Sequence, residues 1–208
     1  MPGYIEDGIA AARVTAGNCP GILLIGDSIR RGYCGTVKKQ LQGKAEVYYP
    51  DDNCRNSQYI ITNLRKWATE FPAGSVQIVQ FNCGHWDIAH WSGAPESLTS
   101  PEEYARLVRV IIRQLRQFYP SAQLVTATTS CMNPNGSVGY NPRTDAEIER
   151  YNQILTSAAR EYGLPVNDLY AVTKQYPESA FADYCHLTEE YFEKLGVAVA
   201  EYLSKYLK

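Results

Sequence analysis

Long hydrophobic runs, basic tracts and closely paired cysteines are all missing from this 208-residue chain. No segment approaches the roughly 20 consecutive apolar residues of a membrane-spanning helix, so a membrane partner is not expected. Lysine and arginine number 20 against 22 aspartates and glutamates, a net charge of −2 with no basic cluster, which argues against nucleic acid as a partner. The amino terminus, Met1-Pro2-Gly3-Tyr4-Ile5-Glu6-Asp7, has acid where a secretory leader has base, and no apolar core follows it. As it stands the chain is expected to be cytoplasmic, or secreted if a leader has been trimmed away. None of the six cysteines (Cys19, Cys34, Cys54, Cys83, Cys131, Cys185) forms a Cys-x-x-Cys pair, and their spacing fits no zinc pattern. Reduced, mostly buried thiols are expected, with no metal and no organic cofactor. Repeats, low-complexity tracts and linkers are also lacking. That leaves one domain over residues 1–208, with 1–20 as an N-terminal extension and length enough for a real core. The oligomeric state is left open.

What is present is an alternation of short apolar runs with helical patterns. Strands are expected at 22–25, 45–49, 75–81 and 122–128, with a short fifth inside 164–169. Helices are expected at about 30–41, 57–70 with Ser57 as cap, and 101–118, where Ser100, Pro101 and Glu103 form a capping-box start. Two more are expected at 145–162, ended by Gly163, and from Thr188 almost to the end of the chain. Irregular segments fill 84–99 and 130–143, and a loop runs from 169 to His186. Five strand–helix units imply an α/β fold: a three-layer α/β/α sandwich on a five-stranded parallel sheet of flavodoxin-like order 2-1-3-4-5. In such sheets ligands bind beyond the carboxyl ends of the strands, at the switch between strands one and three.

Three clusters lie where that rule places chemistry. Gly26-Asp27-Ser28 follows strand one, and a serine there has its hydroxyl at the sheet edge and its N–H among the free amides of a helix start. Asn82-Cys83-Gly84-His85-Trp86-Asp87 follows strand three. Asp183-Tyr184-Cys185-His186 precedes the last helix, and an aspartate three residues before a histidine in a tight turn can hold one ring nitrogen and fix its tautomer. A capping turn with a surface histidine is the alternative for that last cluster. Cys83 and Cys185, beside these residues, are alternative nucleophiles. His90 and Trp91 lie in a loop, 88–98, that either walls the substrate site or is ordinary surface. Arg30 and Arg31 are read as solvated charge, with contact to an anionic or polyol substrate as the alternative. The sixteen tyrosines are read as half-buried packing, with carbohydrate binding as the alternative.

Strand–Gly-Asp-Ser–helix near the start, joined through five strand–helix units to Asp-x-x-His before the final helix, resembles the SGNH hydrolase superfamily, the GDSL esterases and lipases. Residues 22–33, with Gly26-Asp27-Ser28-Ile29, match the family's first block, Asp183 to His186 its last, and the likeness runs from about Gly21 to the carboxyl end. The resemblance implies Ser28 as nucleophile, His186 as general base and then acid, and Asp183 as its orienting partner. It also implies an oxyanion hole made of the serine N–H, a glycine N–H after strand two and an asparagine side chain after strand three. The chain departs from the family in the last two. Trp86 stands at the asparagine position of Gly84-His85-Trp86-Asp87, so the Asn82 amide, in a Phe81-Asn82-Cys83-Gly84-x-x-Asp87 pattern resembling one branch of the superfamily, or the Trp86 indole N–H takes that role, with packing under the loop as the alternative for both. After strand two there is no glycine, which leaves an N–H of Cys54 or Arg55, or the Asn53 side chain.

The function implied is a serine esterase that cleaves a small acyl ester, O-acetyl on a carbohydrate foremost, through an acyl-enzyme. The same residues would serve a lysophospholipase or thioesterase. A non-catalytic glycan-binding module on the same scaffold is the alternative of a different class. A phosphate or nucleotide binder fits poorly, because Asp27 puts negative charge where a phosphate would sit and no Gly-rich cradle is present.

Overall fold

The computed structural model describes residues 19–136 and 139–207. The expected N-terminal extension therefore falls, apart from Cys19 and Pro20, outside the described residues. Five strands, β1 (Gly21–Ile25), β2 (Glu46–Tyr48), β3 (Ile78–Phe81), β4 (Gln123–Ala127) and β5 (Val166–Asn167), form one sheet in the order β2-β1-β3-β4-β5, with every pairing parallel. Ile22 pairs with Ile78 and Ile25 with Phe81, which brings the ends of β1 and β3 level at one edge.

Alternation along β1 decides what covers each face, because successive side chains point to opposite sides. Leu23 and Ile25 join Val79, Phe81 and Leu124 under α2 (Ser57–Glu70), α4 (Pro101–Phe118) and α5 (Asp145–Glu161), with Leu64, Trp67, Ile111 and Leu155 in that core. Ile22 and Leu24 join Ile78 and Val125 under α1 (Ser28–Gln40) and α7 (Glu189–Ser204), with Tyr33, Val37, Leu195 and Val199. Burying each such apolar side chain contributes about 1.5–3 kcal/mol. The result is three layers with the sheet buried on both sides, the architecture expected from the alternating pattern.

Two short helices interrupt segments expected to be irregular: α3 (His85–Ile88) after β3, and α6 (Leu169–Thr173) after β5. Helix starts differ from expectation in detail. Asn56, not Ser57, caps α2 by accepting from the Tyr59 N–H, because the Ser57 hydroxyl is taken by buried Asp87 at 2.5 Å. Ser100 does cap α4, but Glu103 turns to Arg106 at 2.7 Å and leaves the capping box half made. A complete box forms instead at α5, between Thr144 and Glu147. All six cysteines are free and all but Cys19 are buried. No helix of the described residues is long and apolar enough to cross a membrane.

Candidate active site

The turn between β1 and α1 is built around Gly26. A Cβ there would lie 2.0 Å from Asn82 Oδ1 and 2.8 Å from Arg30 Cβ, so only glycine fits. Its carbonyl accepts the Cys54 N–H at 3.2 Å and the Arg30 Nε–H at 3.3 Å, which ties the start of α1 to the segment after β2. Asp27 caps α1, its Oδ1 accepting the Ile29 N–H at 3.0 Å, and burial pushes its carboxyl pKa up. Ser28 is the first residue of the helix and half-buried, and its N–H makes no hydrogen bond among the described residues. Arg30 corrects an expectation: it is buried at 1% exposure, its Nη2 donating to the Asp52 carbonyl at 2.5 Å, while Arg31 is exposed. The arginine follows the inward face of α1 and is held by carbonyls rather than by solvent.

From the other end of the chain, the turn 183–186 delivers a histidine. His186 Nε2 lies 2.8 Å from Ser28 Oγ and Nδ1 lies 2.7 Å from Asp183 Oδ2. Asp183 Oδ1 accepts the N–H groups of Cys185 (2.8 Å) and His186 (2.7 Å). Burial opposes its ionisation, but those two N–H groups and the His186 ring hold its pKa below the usual carboxylate value. Contact with the Cys185 sulfur, 3.7 Å from Nδ1, and the Asp183 carboxylate raise the His186 pKa to about 9, with burial opposing. Among the described residues the one cluster of potential metal ligands is Asp183, Cys185 and His186, whose ligand atoms lie within 4.8 Å of one another. The Nδ1–Oδ2 hydrogen bond already joins two of them.

Ser28 and His186 open on a pocket of about 360 Å³ lined also by Asn53, His85, Trp86, Trp91, Asn141, Arg143, Tyr184 and Cys185. Of the oxyanion and substrate candidates read from sequence, Asn53 and Trp86 reach it. Asn53 Oδ1 accepts the Arg55 N–H at 2.9 Å, which orients the amide and leaves its Nδ2–H₂ as a donor. Asn82, Gly84, Cys54 and Arg55 are not in the wall. Asn82 packs under Gly26 with Oδ1 unpartnered. Gly84 meets Thr129, where a Cβ would lie 2.0 Å from Oγ1. The N–H groups of Cys54 and Arg55 are spent on the Gly26 carbonyl and on Asn53, so neither is a free donor. Cys83 is fully buried, and burial drives its thiol pKa well up, which makes it a poor nucleophile.

Trp91 stands against Trp86 with ring centroids 4.8 Å apart, while His90 turns away to Glu147 at 2.6 Å. The loop carrying them is tied to the next one by His90 N–H to the Pro142 carbonyl (2.9 Å) and Ser92 N–H to Asn141 Oδ1 (3.0 Å). Sequence reasoning missed Asn141 and buried Arg143, which sit in a Pro/Asn/Gly-rich stretch with no periodicity to mark either as part of a site. Tyr184 stood only as a spacer in the Asp-x-x-His turn.

Comparison with known proteins agrees with this fold. The model of the GDSL-like lipase/acylhydrolase family matches residues 24–192. Solved structures with the same fold include an acetyl xylan esterase (16% identity, 88% of this chain and 98% of that one, TM-score 0.69) and a carbohydrate acetylesterase from Sinorhizobium meliloti (14%, 89% and 99%, 0.68). An aryl esterase from M. smegmatis is a third (17%, 90% and 100%, 0.70). At such identities the likeness to these structures is one of fold. No curated protein matches the chain by sequence. With Gly26-Asp27-Ser28-Ile29 and Asp183 to His186 both inside the matched span, the chain belongs to the GDSL-like lipase/acylhydrolase family of serine hydrolases.

Proposed function

We propose that the protein is an esterase that removes a small acyl group, acetyl foremost, from a carbohydrate, through an acyl-enzyme on Ser28. The observation that carries this reading is the unbroken hydrogen-bond chain Asp183–His186–Ser28, 2.7 and 2.8 Å, ending at the mouth of a pocket. Ser28 Oγ attacks the ester carbonyl as His186 Nε2 takes its proton, and Asp183 stabilises the imidazolium that results. The proton then passes to the leaving alcohol, and water attacks the acyl-enzyme by the same route in reverse. The Ser28 N–H and the Asn53 amide hold the oxyanion, with the Trp86 indole beside them.

The pocket supports a small acyl group on a polar alcohol. Its wall mixes amides and a guanidinium with the rings of Trp86, Trp91 and Tyr184, which suits a sugar better than a long acyl chain. Two of the proteins that share the fold are described as esterases of acetylated carbohydrate, which favours the same substrate. The test is labelling by a fluorophosphonate and turnover of 4-nitrophenyl acetate, butyrate and octanoate, beside Ser28→Ala and His186→Ala. Acetate should be the preferred acyl group. Absence of labelling and of Ser28-dependent turnover would sink the esterase and leave a glycan-binding module. A preference for octanoate would favour the lysophospholipase or thioesterase.

A further inference from the structure

Arg143 is buried to 6% exposure in the wall of the Ser28 pocket. Arginines are seldom buried unless paired with an acid, because an uncompensated charge costs several kcal/mol once removed from water. Here Nη1 donates to the His85 carbonyl, Nη2 approaches Cys185 Sγ at 3.7 Å, and the guanidinium lies 5.2 Å over the Tyr184 ring. Nε is buried with no acceptor, and among the described residues no carboxylate lies within 4.0 Å of the guanidinium. The acids near it are engaged or set back. Asp183 gives its oxygens to His186 and the Cys185 amide, while buried Asp27 caps α1 through Oδ1 and feels the Arg143 charge only at a distance, beyond ion-pair contact, its Oδ2 unpartnered. His85, which Arg143 touches, is held neutral by burial and by that same charge. Two carbonyl- or sulfur-bound N–H groups leave three of the five guanidinium hydrogens unused.

Direction follows from the chemistry proposed above, on which this step rests. The leaving alcohol must receive its proton from His186 Nε2, so it lies on the His186 side of Ser28. Arg143 contacts Cys185 and Tyr184, which precede His186 in the same turn, and it shares the pocket wall with His186. We propose that Arg143 is a specificity-determining anion subsite for a carboxylate on the alcohol part of the ester, so that the substrate is an acylated acidic sugar. Asp27 and Asp183 nearby favour a monoanion over a phosphate dianion, and Trp86 and Trp91 present faces for the sugar ring.

The decisive measurement is calorimetric binding of methyl galacturonoside and methyl galactoside, which differ only in carboxylate against hydroxymethyl. The full chain should bind the uronoside about tenfold tighter or better, and added salt should erode that preference. Arg143→Gln should abolish the difference and Arg143→Lys should keep part of it. Arg143→Lys also serves if Arg143→Gln fails to fold, since loss of bidentate geometry alone should then weaken uronoside binding selectively. Equal binding of the two sugars, no binding of either, or a preference that survives in a folded Arg143→Gln protein overturns the proposal. So does an Arg143-dependent preference for 4-nitrophenyl succinate over the acetate in place of the uronoside preference, which would put the carboxylate on the acyl side. Uronoside preference without Ser28-dependent turnover would retire the esterase and leave the subsite standing. Turnover without the preference would do the reverse.

Discussion

His186 Nε2 lies 2.8 Å from Ser28 Oγ across 158 positions of sequence. The serine is fixed by the start of α1, the histidine by the turn entering α7, and those two helices pack on the same face of the sheet. Because Ser28 and His186 act as one unit, Ser28→Ala and His186→Ala should each lower kcat for 4-nitrophenyl acetate by about 10⁴–10⁶, and the double variant should be no worse. Asp183→Asn should cost about 10⁴ through the wrong tautomer. All three should retain the wild-type melting transition within a few degrees. Turnover that survives Ser28→Ala would place the chemistry elsewhere.

Asn53 and Asn82 should separate cleanly. Removing the Asn53 amide takes a donor from the pocket wall, so Asn53→Ala should lower kcat about 10²–10³-fold with KM little changed. Asn82 packs against Gly26 outside the wall, so Asn82→Ala should act mainly on the melting temperature. Kinetic constants at saturating substrate decide between them, and an Asn82→Ala enzyme with the larger loss of kcat reverses the assignment.

Activity should rise with pH. His186 must be neutral to accept the serine proton, and its pKa stands at about 9, so kcat/KM should climb from pH 6 with a midpoint near 9. Cys185 is the first cause of the elevation, and Cys185→Ala should move the midpoint down. The stability linkage has the opposite sense. A folded pKa above the usual histidine value stabilises the fold fully below about pH 6.5, and that contribution is lost as pH passes through 9. A flat profile between pH 6 and 9, or a midpoint indifferent to Cys185, contradicts this account.

Sheet order was legible because it rests on local signals that nothing overrides, whereas the meeting of Ser28 with Asp183 and His186 was implied by the family resemblance that their two blocks carry. Gly21–Ile25 is apolar without interruption, and Gly26 and Thr188 punctuate the two turns that matter. What was not legible depends on partners far along the chain. Asn56 and Ser57 are both good caps, and Asp87, 30 residues away, decides between them. Glu103 had an equally local alternative in Arg106 and took it. Arg30 looked solvated because its neighbour is, yet helical phase turns it inward onto the Gly26 and Asp52 carbonyls. Arg143 lies in a segment where neither period nor composition reports burial, so only the packing of Tyr184, Cys185 and His85 around it reveals the site.

Gly26 supplies the last test. A methyl group there meets Asn82 Oδ1 at 2.0 Å and Arg30 Cβ at 2.8 Å, and neither can swing aside, since Asn82 is buried and the Arg30 Cβ belongs to α1. The turn itself must move, and it carries Ser28. Gly26→Ala should therefore cost about 1–3 kcal/mol of stability through overpacking and also slow acylation, because the Ser28–His186 contact is displaced with it. Asn82→Ala removes the nearer obstacle. In the Gly26→Ala background it should restore part of the melting temperature and part of the single-turnover rate, although Asn82→Ala alone is destabilising. That reversal of sign is the signature of a direct contact, and strict additivity of the two substitutions would mean that Asn82 does not hold the nucleophile turn.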